Sequence, residues 1–161
     1  MLENESVLNT FMLGMFEQLT RDFPADEMSR SFSGHGHSPV WIAGHLAIVG
    51  EMGCSMLGGE IRHQRWLSLF GPRSEDLPEK FADVDPAECI AAVVPAYTEL
   101  QQRCQTASEE HLNAPHEVEI LQNSSLKTNE HVLGHLLATH FAFHVAQWSA
   151  CRREVGQPPL F

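Results

Sequence analysis

Residues 128–156 read TNEHVLGHLLATHFAFHVAQWSACRREVG, and the spacing of their apolar positions decides the fold class. Thr128 offers an N-cap hydroxyl and Gly156 a stop ahead of Pro158 and Pro159, so the stretch predicts one long helix. Arg152 and Arg153 fall in its last turn, where cations suit the negative end of the helix dipole. At about 100° per residue, His140 and His144 share a stripe with Leu133, Leu136, Leu137, Gln147 and Cys151. His131 and His135 fall on another stripe, with Ala138, Ala142, Ala146 and Ser149. One histidine pair is therefore expected to face the core and the other to face away.

Imidazoles at i and i+4 are neighbours on a helix surface and can place two nitrogens on one metal ion. Two neutral core histidines, each hydrogen-bonded to a neighbour, would give the same spacing. A third ligand on another core-facing stripe separates these readings. Ser38 and Pro39 supply a cap and an N1 proline for a helix SPVWIAGHLAIVGEMGCSML that ends at Gly58-Gly59. Its phase groups Trp41, His45, Ile48, Met52 and Met56 on one face, which makes His45 the third candidate.

Two further amphipathic helices complete the pattern. Val7, Leu8, Phe11, Met12, Met15, Phe16 and Leu19 give a stripe near the N-terminus, closed by Pro24. Asp85-Pro86 opens a helix carrying Ile90, Val93, Val94, Tyr97, Leu100 and Cys104, with Pro95 inside it as a predicted kink. Between these helices lie a polar loop with His35 and His37, a connection from Glu60 to Asp85, and an irregular stretch from Ser108 to Lys127. The Glu60–Asp85 connection carries Trp66, Leu67, Leu69 and Phe70, which predicts a crossover that packs down, with a helical turn near Gln64–Phe70. The expected architecture is all-α, a four-helix bundle with long crossover connections formed by residues 1–161 as a single domain.

With 161 residues and a formal net charge of −11, the chain is long enough for one real core and unsuited to gripping nucleic-acid phosphates or anionic membranes. No run approaches the roughly 18 apolar residues of a bilayer span. The N-terminus is acidic where a secretory signal would be basic, and Cys54, Cys89, Cys104 and Cys151 form no CxxC pair. A cytoplasmic protein with reduced thiols is the expectation.

WIAGHLA in the second helix and HFAFHVAQWSACRREVGQPP at the C-terminus together resemble the DinB-like superfamily of metal-binding four-helix bundles. That family pairs a histidine in a W-x-x-x-H-L segment with a final helix bearing H-x-x-x-H-x-x-Q. The resemblance implies metal ligation by His45, His140 and His144. From the residues themselves, three neutral imidazoles suit Zn²⁺, Ni²⁺ or Fe²⁺ and leave coordination positions open. Gln147, one turn beyond His144 on the same side, is expected either to support the metal ligands from behind or to pack and hydrogen-bond in the core. No carboxylate falls in phase with the three histidines; Glu51 lies about 120° around its helix from His45. Superfamily members include thiol-dependent transferases and isomerases, so the resemblance implies a metal-dependent enzyme working on a small molecule with a low-molecular-weight thiol. A non-catalytic metal-binding or structural module is the alternative. The small-residue stripe of His135, Ala138, Ala142, Ala146 and Ser149 predicts close helix approach, within the bundle or across a homodimer axis.

Overall fold

Capping residues set the helix boundaries in the computed structural model, which describes residues 2–32 and 36–160. His35 lies outside the described residues. Helix α1 spans Glu3–Arg21, α2 Pro39–Met56, α3 Trp66–Phe70, α4 Pro86–Thr106 and α5 Glu109–Asn113. The last helix runs as α6 (Asn129–His135), a single π turn (Leu136–His140) and α7 (Phe141–Glu154). Ser38, Asp85 and Thr128 each cap as their sequence context predicts, accepting from the backbone N–H of Trp41, Ala87 and His131. Gly58 and Gly156 follow α2 and α7 with φ of 75° and 81°, the left-handed conformation that ends a helix.

Four long helices make the bundle. The last helix packs against α1 and α2, and α4 packs against the same two from the opposite side. Helices α1 and α2, consecutive among the four, thus sit on a diagonal. The chain reaches that arrangement through the predicted crossovers, and α3 appears where a helical turn was expected.

Helix α2 is the axis of the core. From Pro39 to Glu51 every residue is buried, so its apolar positions run all round rather than along one stripe. At Gly44 an added Cβ would come within 2.5 Å of the Phe70 ring, so only glycine lets α3 approach this closely. Trp66, Phe70, Tyr97, Phe141 and Trp148 fill the space between helices.

Helix α1 departs from its sequence reading. Val7, Leu8 and Phe11 are exposed, while Ser6, Asn9, Leu13, Phe16 and Leu19 face inward. Asn9, fully buried, donates from Nδ2 to the Leu137 carbonyl at 2.7 Å, and its Oδ1 accepts from Gln101 Nε2 at 2.7 Å. A polar demand in the last helix therefore rotates α1 away from the face its hydrophobicity would choose.

Candidate metal centre

His45 reaches the bundle interior from the second turn of α2, and His140 and His144 face it from the π turn and the start of α7. One ligand atom from each of the three lies within 4.8 Å of the others. His45 and His144 are buried and His140 is partly so. Sequence phase alone put these rings on facing stripes, and the fold brings all three together.

Two of the three rings are held by their outer nitrogen. His45 Nδ1 lies 2.6 Å from the Phe70 carbonyl, which can only accept, so Nδ1 carries the proton and Nε2 presents a lone pair. His144 Nδ1 lies 2.7 Å from Gln147 Oε1, which directs ligation to Nε2 in the same way. Trp41 stacks on His45 with ring centroids 4.6 Å apart, and His37 stacks on the far face of Trp41 at 4.0 Å. His45 Nε2 and His140 Nε2 lie 3.2 Å apart. Two nitrogens bound tetrahedrally to one ion at 2.0–2.1 Å would be about 3.3 Å apart, so the spacing fits a shared zinc-sized cation. His140 Nδ1 is buried with no partner among the described residues. Thus the donor set fits a borderline divalent metal: three nitrogens, no carboxylate, and outer-nitrogen contacts on two rings that fix the tautomer.

Burial keeps His45 and His140 neutral. It pushes His45 down to about 4, partly offset by the bond to Phe70 and aided by nearby His37. His140 falls further, first from burial and then from the neighbouring His144, His45 and His135. The consequence for metal-free protein has a definite sign. As pH drops from about 6.5 toward 4, the unfolded chain takes up protons that the folded chain refuses, so stability falls; above about 6.5 both states are neutral and stability no longer depends on these rings' protonation. His45 alone corresponds to about 3 kcal/mol across that window, at 1.36 kcal/mol per pKa unit. Urea midpoints of metal-free protein at pH 7.5, 5.5 and 4.5 should show this loss. The drop should be smaller in His140→Leu, and an equal drop in both proteins would contradict the assignment.

The π turn changes what the sequence suggested for His135. A straight α-helix would point His135 well away from His140, but the widened turn brings their ring centroids to 5.6 Å. His135 Nδ1 lies 2.6 Å from Thr139 Oγ1, and the ring lines a cavity shared with His45 and His140. Of the small-residue stripe, Ala142, Ala146 and Ser149 line a groove with α1. Nothing in single-residue periodicity marks a π turn. A polar residue at an inward position of α1, Asn9, is the nearest signal.

That cavity has a volume of about 420 Å³ and apolar walls that include Val49, Met52, Ile61, Leu67, Val132 and Leu136. It opens the His45–His140 edge of the triad to small molecules. Glu51, the nearest sequence candidate for a base, is buried and engaged by the crossover, accepting from His63 N at 3.0 Å and facing His63 Nδ1 at 2.6 Å. It fixes the connection that carries Phe70 rather than facing the triad. The four cysteines are buried too, and burial raises their thiols to about 11 for Cys54 and about 12 for Cys89, Cys104 and Cys151. None is a ready nucleophile.

A model of the DinB superfamily matches residues 10–148. The chain belongs to the DinB superfamily. Its fold is also that of a solved structure, YfiT from Bacillus subtilis, described as a probable metal-dependent hydrolase with an unusual four-helix bundle topology. The two share 14% identity over 97% of this chain and 88% of YfiT, with a TM-score of 0.65, a likeness of fold. No curated protein sequence matches the chain. Among the described residues of this DinB protein, no helix is long and apolar enough to cross a membrane.

Proposed function

We propose that this DinB protein holds one divalent metal ion through His45, His140 and His144, with Gln147 orienting His144, and works as a metal-dependent enzyme on a small molecule with a low-molecular-weight thiol. The observation that carries the reading is three convergent imidazoles, two of them lining an apolar cavity large enough for a small substrate. When bound there, Zn²⁺, Ni²⁺ or Fe²⁺ supplies Lewis acidity that lowers the pKa of a water or a thiol. The chain's own residues orient the ligating rings, exclude bulk water with aromatic and aliphatic walls, and supply no reactive thiol. In a thiol reaction the nucleophilic sulfur would therefore enter with the substrate rather than come from the chain.

Hydrolysis is the second reading. YfiT is described as a probable metal-dependent hydrolase, and His135 places in the cavity an imidazole of the kind that can move a proton. Metal-loaded protein incubated with glutathione and an apolar alkyl halide, followed by mass spectrometry for the thioether, separates the readings. Thioether formation abolished by a chelator supports thiol transfer. Chelator-sensitive cleavage of an apolar ester without thiol would put hydrolysis in its place. Stoichiometric metal with neither reaction and a raised Tm would leave a binding module.

We also propose a homodimer through the α1–α7 face. Leu8, Phe11, Met12 and Met15 form one groove with Ala142, Ala146 and Ser149, and Phe11 is 62% exposed. Such an apolar groove is costly to leave in water, and the small α7 residues let a second copy approach closely. Light scattering should give twice the chain mass at micromolar concentration, and Phe11→Glu should return it to the monomer mass. A monomeric parent protein would remove the idea.

A further inference from the structure

The segment following α3 forms a strap across the mouth of the cavity. Phe70 gives its carbonyl to His45 Nδ1 at 2.6 Å, Ser74 Oγ accepts from Trp41 Nε1 at 3.0 Å, and Asp76 binds the Ser38 backbone N–H and hydroxyl at the start of α2. Within the strap, Gly71-Pro72-Arg73-Ser74 closes as a β-turn through Ser74 N–H to the Gly71 carbonyl at 3.0 Å. Proline occupies the second position and the third has φ of 68°, the pattern of a type II turn. That third position favours glycine or asparagine, because a side chain there strains the backbone. Here it holds Arg73.

Arg73 is exposed and lines the cavity. Among the described residues it has no ion pair or side-chain hydrogen bond, and it is the one charged side chain in the cavity's lining; apart from the Ser55 hydroxyl and the imidazoles, the other walls are apolar. Strained backbone at a cavity mouth marks a ligand clamp more readily than a spare surface position. A planar guanidinium with no internal partner matches a carboxylate by two parallel hydrogen bonds. The acidic chain, of formal net charge −11, would otherwise repel an anion from this cavity.

We propose that the cavity takes a predominantly apolar small molecule bearing one carboxylate, and that Arg73 is the specificity-determining residue that binds this carboxylate at the mouth. The apolar body then lies along Val49, Met52 and Leu136, with the remote end toward His45 and His140. This deepens the enzyme reading and rests on it only for which end of the molecule reacts.

Binding of 4-phenylbutyrate and of its uncharged amide, followed by calorimetry, tests the proposal on metal-free and Zn²⁺-loaded protein. Arg73→Gly is the variant, since glycine suits the turn and preserves the fold. The parent protein should prefer the carboxylate by roughly tenfold or more with and without metal. In Arg73→Gly the preference should vanish while amide affinity is kept. Equal affinities in the parent, a preference retained in Arg73→Gly, or no saturable binding of either compound would each overturn the proposal. A preference that appears only with Zn²⁺ and survives Arg73→Gly would assign the carboxylate to the metal, overturning the role of Arg73 while leaving the triad intact. Loss of the preference in metal-free Arg73→Gly would sustain Arg73 even if the triad bound no metal.

Discussion

His45→Ala and His140→Ala proteins should each lose their metal, falling from about one ion per chain after Zn²⁺ or Ni²⁺ loading to a small fraction of that. Removing an outer contact to a ligating histidine already lowers metal affinity by about 10–100-fold, so deleting a ligand should lower it by more than about 100-fold. Gln147→Leu should fall in the smaller range, because His144 loses only the acceptor 2.7 Å from its Nδ1. His135→Ala is the informative control. Its ring lies 5.6 Å from His140 and lines the same cavity, yet it is outside the group whose nitrogens converge. It should keep full stoichiometry. Mass spectrometry of metal content on untagged proteins reads all five cases. Retained metal in both alanine variants would sink the triad reading, and loss in His135→Ala alone would move the centre toward the π turn.

What the sequence made legible follows from where local chemistry decides the outcome. Helix starts were readable because Ser38, Asp85 and Thr128 satisfy backbone donors within three residues of themselves. The clustering of the three histidines was readable because His140 and His144 are one turn apart on the last helix, and because the phase of α2 puts His45 on one face with Trp41 and Met52. Features that depend on a distant partner were not. Phe70 orients His45 through a backbone carbonyl that no side-chain pattern announces. The exposure of Val7, Leu8 and Phe11 contradicts their periodicity because the opposite face of α1 must bring Asn9 to Leu137. His135 was misplaced for a related reason: a π turn adds angular slack that a constant 100° per residue cannot represent.

Asn9→Ala should be among the most disruptive single changes outside the triad. In an unbroken α-helix the Leu137 carbonyl would accept from the N–H of Phe141, but that N–H is directed to Ala138 instead. The Asn9 amide replaces the missing donor at 2.7 Å, and its oxygen accepts from Gln101 at 2.7 Å. Truncation leaves the buried Leu137 carbonyl short of a bond, while half-buried Gln101 can turn to water, so a loss of about 1–3 kcal/mol is expected in urea unfolding. The effect should also reach the metal centre. Without Asn9 the favourable response is for the π turn to tighten to α, which rotates His135 away from the cavity and shifts His140 relative to His45. Metal affinity should then fall by at least about tenfold, comparable to loss of an outer contact to a ligand. Asn9→Asp tests the same link with little change in volume, since its carboxylate accepts from Gln101 and cannot donate to Leu137. If either variant lost stability while binding metal as tightly as the parent, the π turn would be held by packing alone. Coupled loss of stability and metal affinity would instead make a buried asparagine in α1 the residue that sets the geometry of a histidine 131 positions later in the chain.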